Sequence, residues 1–353
     1  MTALFEPIVI RGLSIPNRIW VSPMCQYSAV NGVIGPWHTQ HLGSMAAGRP
    51  GLIIVESTGI SPAGRISTGC TGIWNDEQVA KFREVTALVH SQNVPIGIQL
   101  NHSGRKGSTM PSWWEYEVAK SSDGSWQTFA PSSIPLNGFP TPKELTGDEI
   151  AEIINDFAKA AKMSLQAGFD LIELHGAYGY LIHQFLSPIS NKRSDNYGGN
   201  FEGRTRFLKE IIQKIRSVVP DVMPLFVRIP AQDWVDDGWT LDESIQLVNE
   251  IKLIGVDVVD IVSGGILQDA WGPNFEGSQV SFSAQIRSAT GIKTAVGGAI
   301  ADPLFANSVI KNEEADAVMI GTAILRNPHW PLLASESLNG NLVWPNQLLR
   351  AKK

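Results

Sequence analysis

Eight short runs of apolar, largely β-branched residues recur along the chain, most of them preceded within a residue or two by proline or glycine. They lie at 18–22, 51–56, 95–100, 170–175, 224–229, 257–262, 292–297 and 316–321. Near-continuous hydrophobicity of this kind belongs to parallel strands covered on both faces. Between the runs the period changes to that of a helix. In 76–92, the residues Val79, Phe82, Val85, Leu88 and Val89 share one face. Thr146 opens a stretch that runs to Gln166, with Glu149 three residues on at capping-box spacing. The segments 201–218, 240–254, 282–289 and 303–312 behave similarly. Strands alternating with helices in this way predict a single closed (β/α)8 barrel over residues 1–353, with an open doubly wound sheet as the alternative. Two segments stand outside the repeat. Residues 5–17 read as a hairpin that plugs the barrel's amino end, and 101–146 as a long excursion after the third strand, rich in Ser, Pro and Trp.

The formal net charge of −6 and a pI near 5.7 argue against a binder of nucleic acid or anionic membrane. The only two cysteines, Cys25 and Cys70, provide neither a disulfide framework nor zinc-ligand spacing. No signal-peptide core or membrane-spanning apolar run is present, so a cytoplasmic setting is expected.

In barrels of this type ligands bind at the carboxyl ends of the strands, and the polar residues concentrate there. Strand one ends in Ser22-Pro23-Met24-Cys25-Gln26-Tyr27 and strand two in Ser57-Thr58. Strand three carries Gln99 and leads to His102 and Lys106, strand four to His175, Tyr178 and Tyr180, and strand five carries Arg228. An imidazole and two phenols crowded at one strand end can grip a carbonyl oxygen and hand over a proton. Strands seven and eight end in Gly297-Gly298 and Gly321-Thr322, where bare backbone N–H groups can hold a phosphate. A phosphate site at one rim, with the polar Gln99 and Arg228 under the mouth, points to flavin mononucleotide (FMN). No G-x-G-x-x-G turn follows the first strand, as a nicotinamide-only enzyme would require.

The motifs resemble the Old Yellow Enzyme family of FMN-dependent ene-reductases, in particular its thermophilic-like subgroup. The resemblance runs from Leu4-Phe5-Glu6-Pro7 to about Pro328. It rests on Asn17-Arg18-Ile19, Ser22-Pro23-Met24-Cys25-Gln26-Tyr27, Gly97-Ile98-Gln99-Leu100, His102-Ser103-Gly104-Arg105-Lys106 and Gly179-Tyr180-Leu181. The most specific motif is Ser190-Asn191-Lys192-Arg193-Ser194-Asp195-Asn196-Tyr197-Gly198-Gly199.

The resemblance implies that Ser22, Pro23, Met24, Ser57, Gln99 and Arg228 surround the flavin ring. Gly297, Gly298, Gly321 and Thr322 would hold its phosphate, and Cys25 would be the thiol that tunes its potential. NADPH or NADH would supply electrons and an α,β-unsaturated carbonyl compound would accept them. His175 and Tyr178 would bind its oxygen and Tyr180 would protonate the α-carbon. Tyr27, Lys106 and Arg350 complete the expected substrate site, with Arg350 reaching from a neighbouring subunit of a homodimer or homotetramer. The tail at about 340–353 would then lie at that interface. Trp113, Trp114, Trp126, Trp234, Trp239 and Trp271 are further pocket candidates, more of which are expected to pack than to bind.

The chain departs from the family at two positions. Tyr178 stands where His or Asn is usual, and Thr322 where Arg is usual, which leaves the phosphate without its customary cation. Two other functions fit the same residues: a flavin-dependent double-bond isomerase or specialised biosynthetic reductase, and a non-catalytic flavin-binding barrel.

Overall fold

The structure, a computed structural model, describes residues 2–113 and 117–352. Eight parallel strands close into a barrel: β1 (Ile19–Val21), β2 (Leu52–Gly59), β3 (Ile96–Asn101), β4 (Leu171–His175), β5 (Leu225–Pro230), β6 (Val258–Val262), β7 (Lys293–Val296) and β8 (Ala317–Ile320). Each lies within the apolar run predicted for it or overruns it by one to three residues.

The helices outside the barrel are α1 (Pro36–Ala47), α2 (Asp76–His90), α3 (Gly147–Gln166), α4 (Phe201–Arg216), α5 (Leu241–Ile251), α6 (Val280–Thr290), α7 (Pro303–Lys311) and α8 (Trp330–Ser337). The capping box of α3 forms as expected, Glu149 N–H donating to Thr146 Oγ1 and Thr146 N–H to the Glu149 carboxylate. Four helices have no counterpart in the predicted stretches: α1, α8 and the short Leu181–Leu186 and Thr322–Arg326. The stretch His38-Thr39-Gln40-His41 and the small residues Gly43 and Ser44 give α1 no continuous apolar stripe.

Side chains alternate across each strand even though both faces are apolar. Ile172, Leu174, Val227, Ile229, Val259 and Ile261 point outward into the layer shared with the helices. Leu171, Phe226, Val258, Leu52, Ala295 and Ala317 point inward and form a separate cluster at the amino end. Trp20 stacks on Phe226 within it, their ring centroids 5.5 Å apart. The antiparallel hairpin of Ile8–Ile10 and Leu13–Ile15 closes that end as predicted, adding Ile8, Ile10 and Ile15 to the same cluster. Burying each of these large side chains contributes about 1.5–3 kcal/mol.

The excursion after β3 folds back as a two-stranded pair, Phe129–Ala130 with Lys143–Glu144. Arg193 ties it to the barrel by donating to the carbonyls of Pro131 and Leu145 while pairing with Asp195. The most specific motif of the sequence is therefore structural. Among the described residues no helix is long and apolar enough to cross a membrane.

Candidate active site

Moving two residues along the inward face, from amino to carboxyl end, replaces Leu171 by Glu173, Phe226 by Arg228, Val258 by Asp260 and Gly97 by Gln99. Strand register places these polar side chains side by side, with Gln99 opposite Glu173 and Arg228 opposite Asp260. Arg228 Nε donates to Asp260 Oδ2 at 2.6 Å, its Nη2 reaches Ser22 Oγ at 3.1 Å, and Glu173 lies 4.0 Å away. Gln99 Nε2 donates to Glu173 Oε1 at 2.8 Å.

All four side chains are buried. Burial opposes the charge on Arg228, but Asp260 and Glu173 outweigh it and hold the guanidinium firmly protonated. Burial, reinforced by the neighbouring Asp260, pushes the Glu173 carboxyl up to about 8. Burial raises Asp260 as well. One guanidinium thus sits between two carboxyl groups that are not both readily ionised.

Above this layer β4 ends in His175. Burial, with the charges of Arg228 and Lys106, lowers the imidazole well below its ordinary value, so it is neutral at pH 7. Its Nδ1 accepts the Ala177 N–H at 3.4 Å, which leaves Nε2–H as the donor. The His175 ring meets Tyr180 at 4.8 Å and Tyr178 at 5.9 Å, both edge-on, and the Arg228 guanidinium lies 6.0 Å from the Tyr178 ring. Burial raises the Tyr178 phenol, which is the protonated, donating form at neutral pH.

The loop that carries these rings is braced from below and beside. Gly179, at φ +73°, passes so close to the β6 loop that a Cβ there would stand 2.3 Å from Gly265 O. Its N–H donates to His183 Nδ1 at 2.8 Å, and His183 Nε2 meets Asp233 Oδ1 at 2.7 Å with both side chains fully buried. Lys106 Nζ donates to the carbonyls of Tyr178 and Gly265 and lies over the Tyr180 and Trp271 rings. Burial, followed by repulsion from Arg105, brings its ammonium down to about 7. The position of Lys106 is thus that of a fastener between two rim loops.

A cavity of about 350 Å³ opens beside this group. It is lined by Ser22, Tyr178, Arg228 and Asp260 on one side and by Gly297, Gly298, Gly321 and Thr322 on the other. Its size lies within the ~300–1,000 Å³ usual for small-molecule sites. Gly298 has φ +96°, and a Cβ there would press on Gln279 N. The lining suits a molecule with an anionic end and a flat polar end. Glycine backbone lies at one rim and a buried guanidinium at the other. Asp260 Oδ1 is buried with no hydrogen-bond partner among the described residues.

Pro23, Met24 and Cys25 are half-buried in the segment leaving β1, and Ser57 is buried at the bulge in β2. Tyr27 meets Trp113 edge-on at 5.9 Å. Trp271, 48% exposed, packs near Tyr178 at the mouth, whereas Trp239 is core and Trp126 hydrogen-bonds to Ala63 O. Trp234 donates to Ser263 Oγ. Trp114 lies outside the described residues. Arg350 sits exposed on the C-terminal 3-10 turn Asn346–Ala351 and does not line the cavity of its own chain.

Five participants were missed in the sequence. Glu173 and Asp260 were visible as charges inside apolar runs. The His183–Asp233 pair joins the short helix Leu181–Leu186 to the loop after β5 and left no local signal. Arg326, one helical turn beyond Thr322, also lines the cavity, so a cation is available at the rim where Thr322 had implied none.

Residues 3–341 match the NADH:flavin oxidoreductase / NADH oxidase family. The chain is 42% identical over 352 residues to the NADPH dehydrogenase of Geobacillus thermodenitrificans, covering 99% of this chain and 98% of that one. Among solved structures it is similar to morphinone reductase, with a TM-score of 0.80 and 27% identity over 97% of this chain and 91% of that one. It also shares the fold of a 2-naphthoyl-CoA reductase, with a TM-score of 0.86 and 22% identity. There 95% of this chain covers only 52% of a much longer protein. With its barrel, glycine rim and buried guanidinium, the chain belongs to the NADH:flavin oxidoreductase / NADH oxidase family, the Old Yellow Enzyme type, with FMN as cofactor and NAD(P)H as electron donor.

Proposed function

We propose that the protein is an ene-reductase, which reduces the activated C=C bond of α,β-unsaturated carbonyl compounds at the expense of NAD(P)H. The observation that carries this reading is the contact of neutral His175 with both Tyr178 and Tyr180 above the Arg228 layer. FMN, when bound, supplies the hydride exchange between nicotinamide and substrate. The residues that would hold it are Ser22, Pro23, Met24, Cys25, Ser57, Gln99 and Arg228 around the ring. Gly297, Gly298, Gly321 and Thr322 would hold the phosphate.

The remaining work falls to the protein. His175 Nε2–H and the Tyr178 hydroxyl donate to the substrate's carbonyl oxygen, where negative charge grows as the β-carbon is reduced. A preorganised donor of this kind is worth about 3 kcal/mol in the transition state. A neutral imidazole gives its hydrogen bond without losing its proton. Tyr180, against the same imidazole, delivers a proton to the α-carbon. The bulk of Tyr178 and Trp271 narrows the mouth over the substrate, and Tyr27 lines it from the β1 side. Arg350 of one subunit completes the site of its neighbour in a homodimer or homotetramer.

The test is steady-state conversion of cyclohexenone with NADPH and product analysis. Cyclohexanone formed in step with NADPH consumption supports the reading. A product with a migrated double bond would favour the isomerase, and NADPH oxidation without ketone product would overturn ene-reduction.

A further inference from the structure

The chain has two cysteines, 45 positions apart in sequence, and the fold brings them together. Cys25 lies just beyond β1, and Cys70 lies in the loop beyond the adjacent strand β2. The two segments run alongside one another, Ala29 N–H donating to Gly69 O at 2.9 Å. The contact there is tight enough that a Cβ on Gly69 would stand 2.4 Å from Tyr27 O. The thiols themselves are hydrogen-bonded to each other. Cys70 also receives the Ser67 N–H at 3.2 Å and lies 3.3 Å from the Ser67 hydroxyl. Cys70 is buried and Cys25 half-buried, and no disulfide joins them.

From this juxtaposition we infer that Cys25 and Cys70 form a redox-active dithiol, a modification site at which hydrogen peroxide closes an intramolecular disulfide. The reading holds whether or not Cys25 touches the cofactor. The electrostatics of the pair favour it. The hydrogen bond to Cys70, then burial, raise the Cys25 thiol. Burial opposes a Cys70 thiolate, but the hydrogen bonds from Cys25 and Ser67 outweigh it and lower Cys70. Glu56 adds negative charge near both sulfurs. The pair therefore loses one proton more readily than two, and the proton that remains sits on Cys25.

With that proton on Cys25, the Cys70 thiolate, held by the Ser67 N–H and hydroxyl, attacks peroxide. An S–O bond forms, the O–O bond breaks, hydroxide leaves, and Cys70 becomes a sulfenic acid. The Cys25 sulfur then attacks the Cys70 sulfur. The S–S bond forms, the S–O bond breaks, and the Cys25 proton leaves with the departing oxygen as water. Two sulfurs are oxidised by one electron each and one peroxide is reduced by two. The oxidised pair would no longer offer Cys25 as the acceptor that the Tyr27 hydroxyl now uses.

The experiment treats the purified holoprotein with a few equivalents of hydrogen peroxide, denatures it in iodoacetamide, digests it without reductant and identifies the peptides by mass spectrometry. The expected result is a fall from two alkylated cysteines to none, with one cross-linked peptide pair containing Cys25 and Cys70. Dithiothreitol should restore both thiols. In Cys25→Ser the same treatment should instead drive Cys70 to sulfinic acid, which dithiothreitol does not reverse. If that variant does not fold, the wild-type result decides alone. Two thiols still alkylated after peroxide, or sulfinic acid at Cys70 beside a free Cys25 in the wild type, would overturn the proposal.

Discussion

At the amino end of the barrel, Leu171, Phe226 and Val258 meet the hairpin's Ile8, Ile10 and Ile15 in a dry cluster. Two residues further along the same three strands, Glu173, Arg228 and Asp260 occupy the equivalent inward positions, equally buried but charged. Backbone, register and depth are shared, so the contrast isolates what the side chains do. The lower layer gains stability from apolar area removed from water. The upper layer incurs the desolvation of ionisable groups, which is repaid only in part by mutual attraction. A fold optimised for stability alone would continue the lower layer upward. That it does not is the physical mark of a working face.

The largest expected effect strikes the charged layer. Arg228→Met leaves Glu173 and Asp260 without their cation and should destabilise the protein by about 3–5 kcal/mol, measured by denaturant unfolding of the apoprotein. The pH dependence sharpens this. Glu173 has a folded pKa of about 8 against roughly 4.3 when unfolded, so the folded state binds the proton more tightly. Its contribution is present at low pH and is lost as pH rises from about 5 through 8. Glu173→Gln should flatten the stability profile across that window.

Next comes the apolar layer. Ile15→Ala should cost about 2–5 kcal/mol of stability and leave kcat/KM for enones unchanged when assayed below its melting temperature. A comparable loss of activity would mean that the two ends are not separable.

At the rim, Arg326→Ala should weaken FMN retention by about tenfold, the order of one charge-assisted hydrogen bond. Fluorescence titration of apoprotein with FMN at two salt concentrations measures it. Unchanged affinity would leave glycine backbone as the whole phosphate site. The smallest effect is expected at Arg350→Ala, a several-fold rise in substrate KM with a dimeric or larger wild type by light scattering. A monomeric wild type would remove Arg350 from the site.

Much of this was legible in the chain because a buried parallel strand needs no partner in sequence to declare itself. Runs such as Leu171-Ile172-Glu173-Leu174-His175 are apolar with punctuation before them, and the barrel follows from their number. His175, Tyr178, Tyr180 and Arg228 stood out as polar groups at or within those runs. What stayed hidden depends on distance in sequence. Asp233 lies fifty residues beyond His183, and Cys70 forty-five beyond Cys25. Helix α1 was hidden for a different reason, since its buried face includes His38 beside Leu42, Met45 and Ala46. Arg326 reaches the cavity only because Thr322–Arg326 is helical.

The most direct measurement follows the two half-reactions separately by anaerobic stopped-flow absorbance. Wild-type protein should arrive yellow, bleach with NADPH, and recolour with cyclohexenone. Tyr180→Phe and His175→Ala should both slow the recolouring, His175→Ala by roughly 10²-fold, and Tyr180→Phe should leave the bleaching rate unchanged. Recolouring at the wild-type rate in both variants, or a Tyr180→Phe defect confined to bleaching, would contradict the assignment of His175 and Tyr180 to the substrate's reduction.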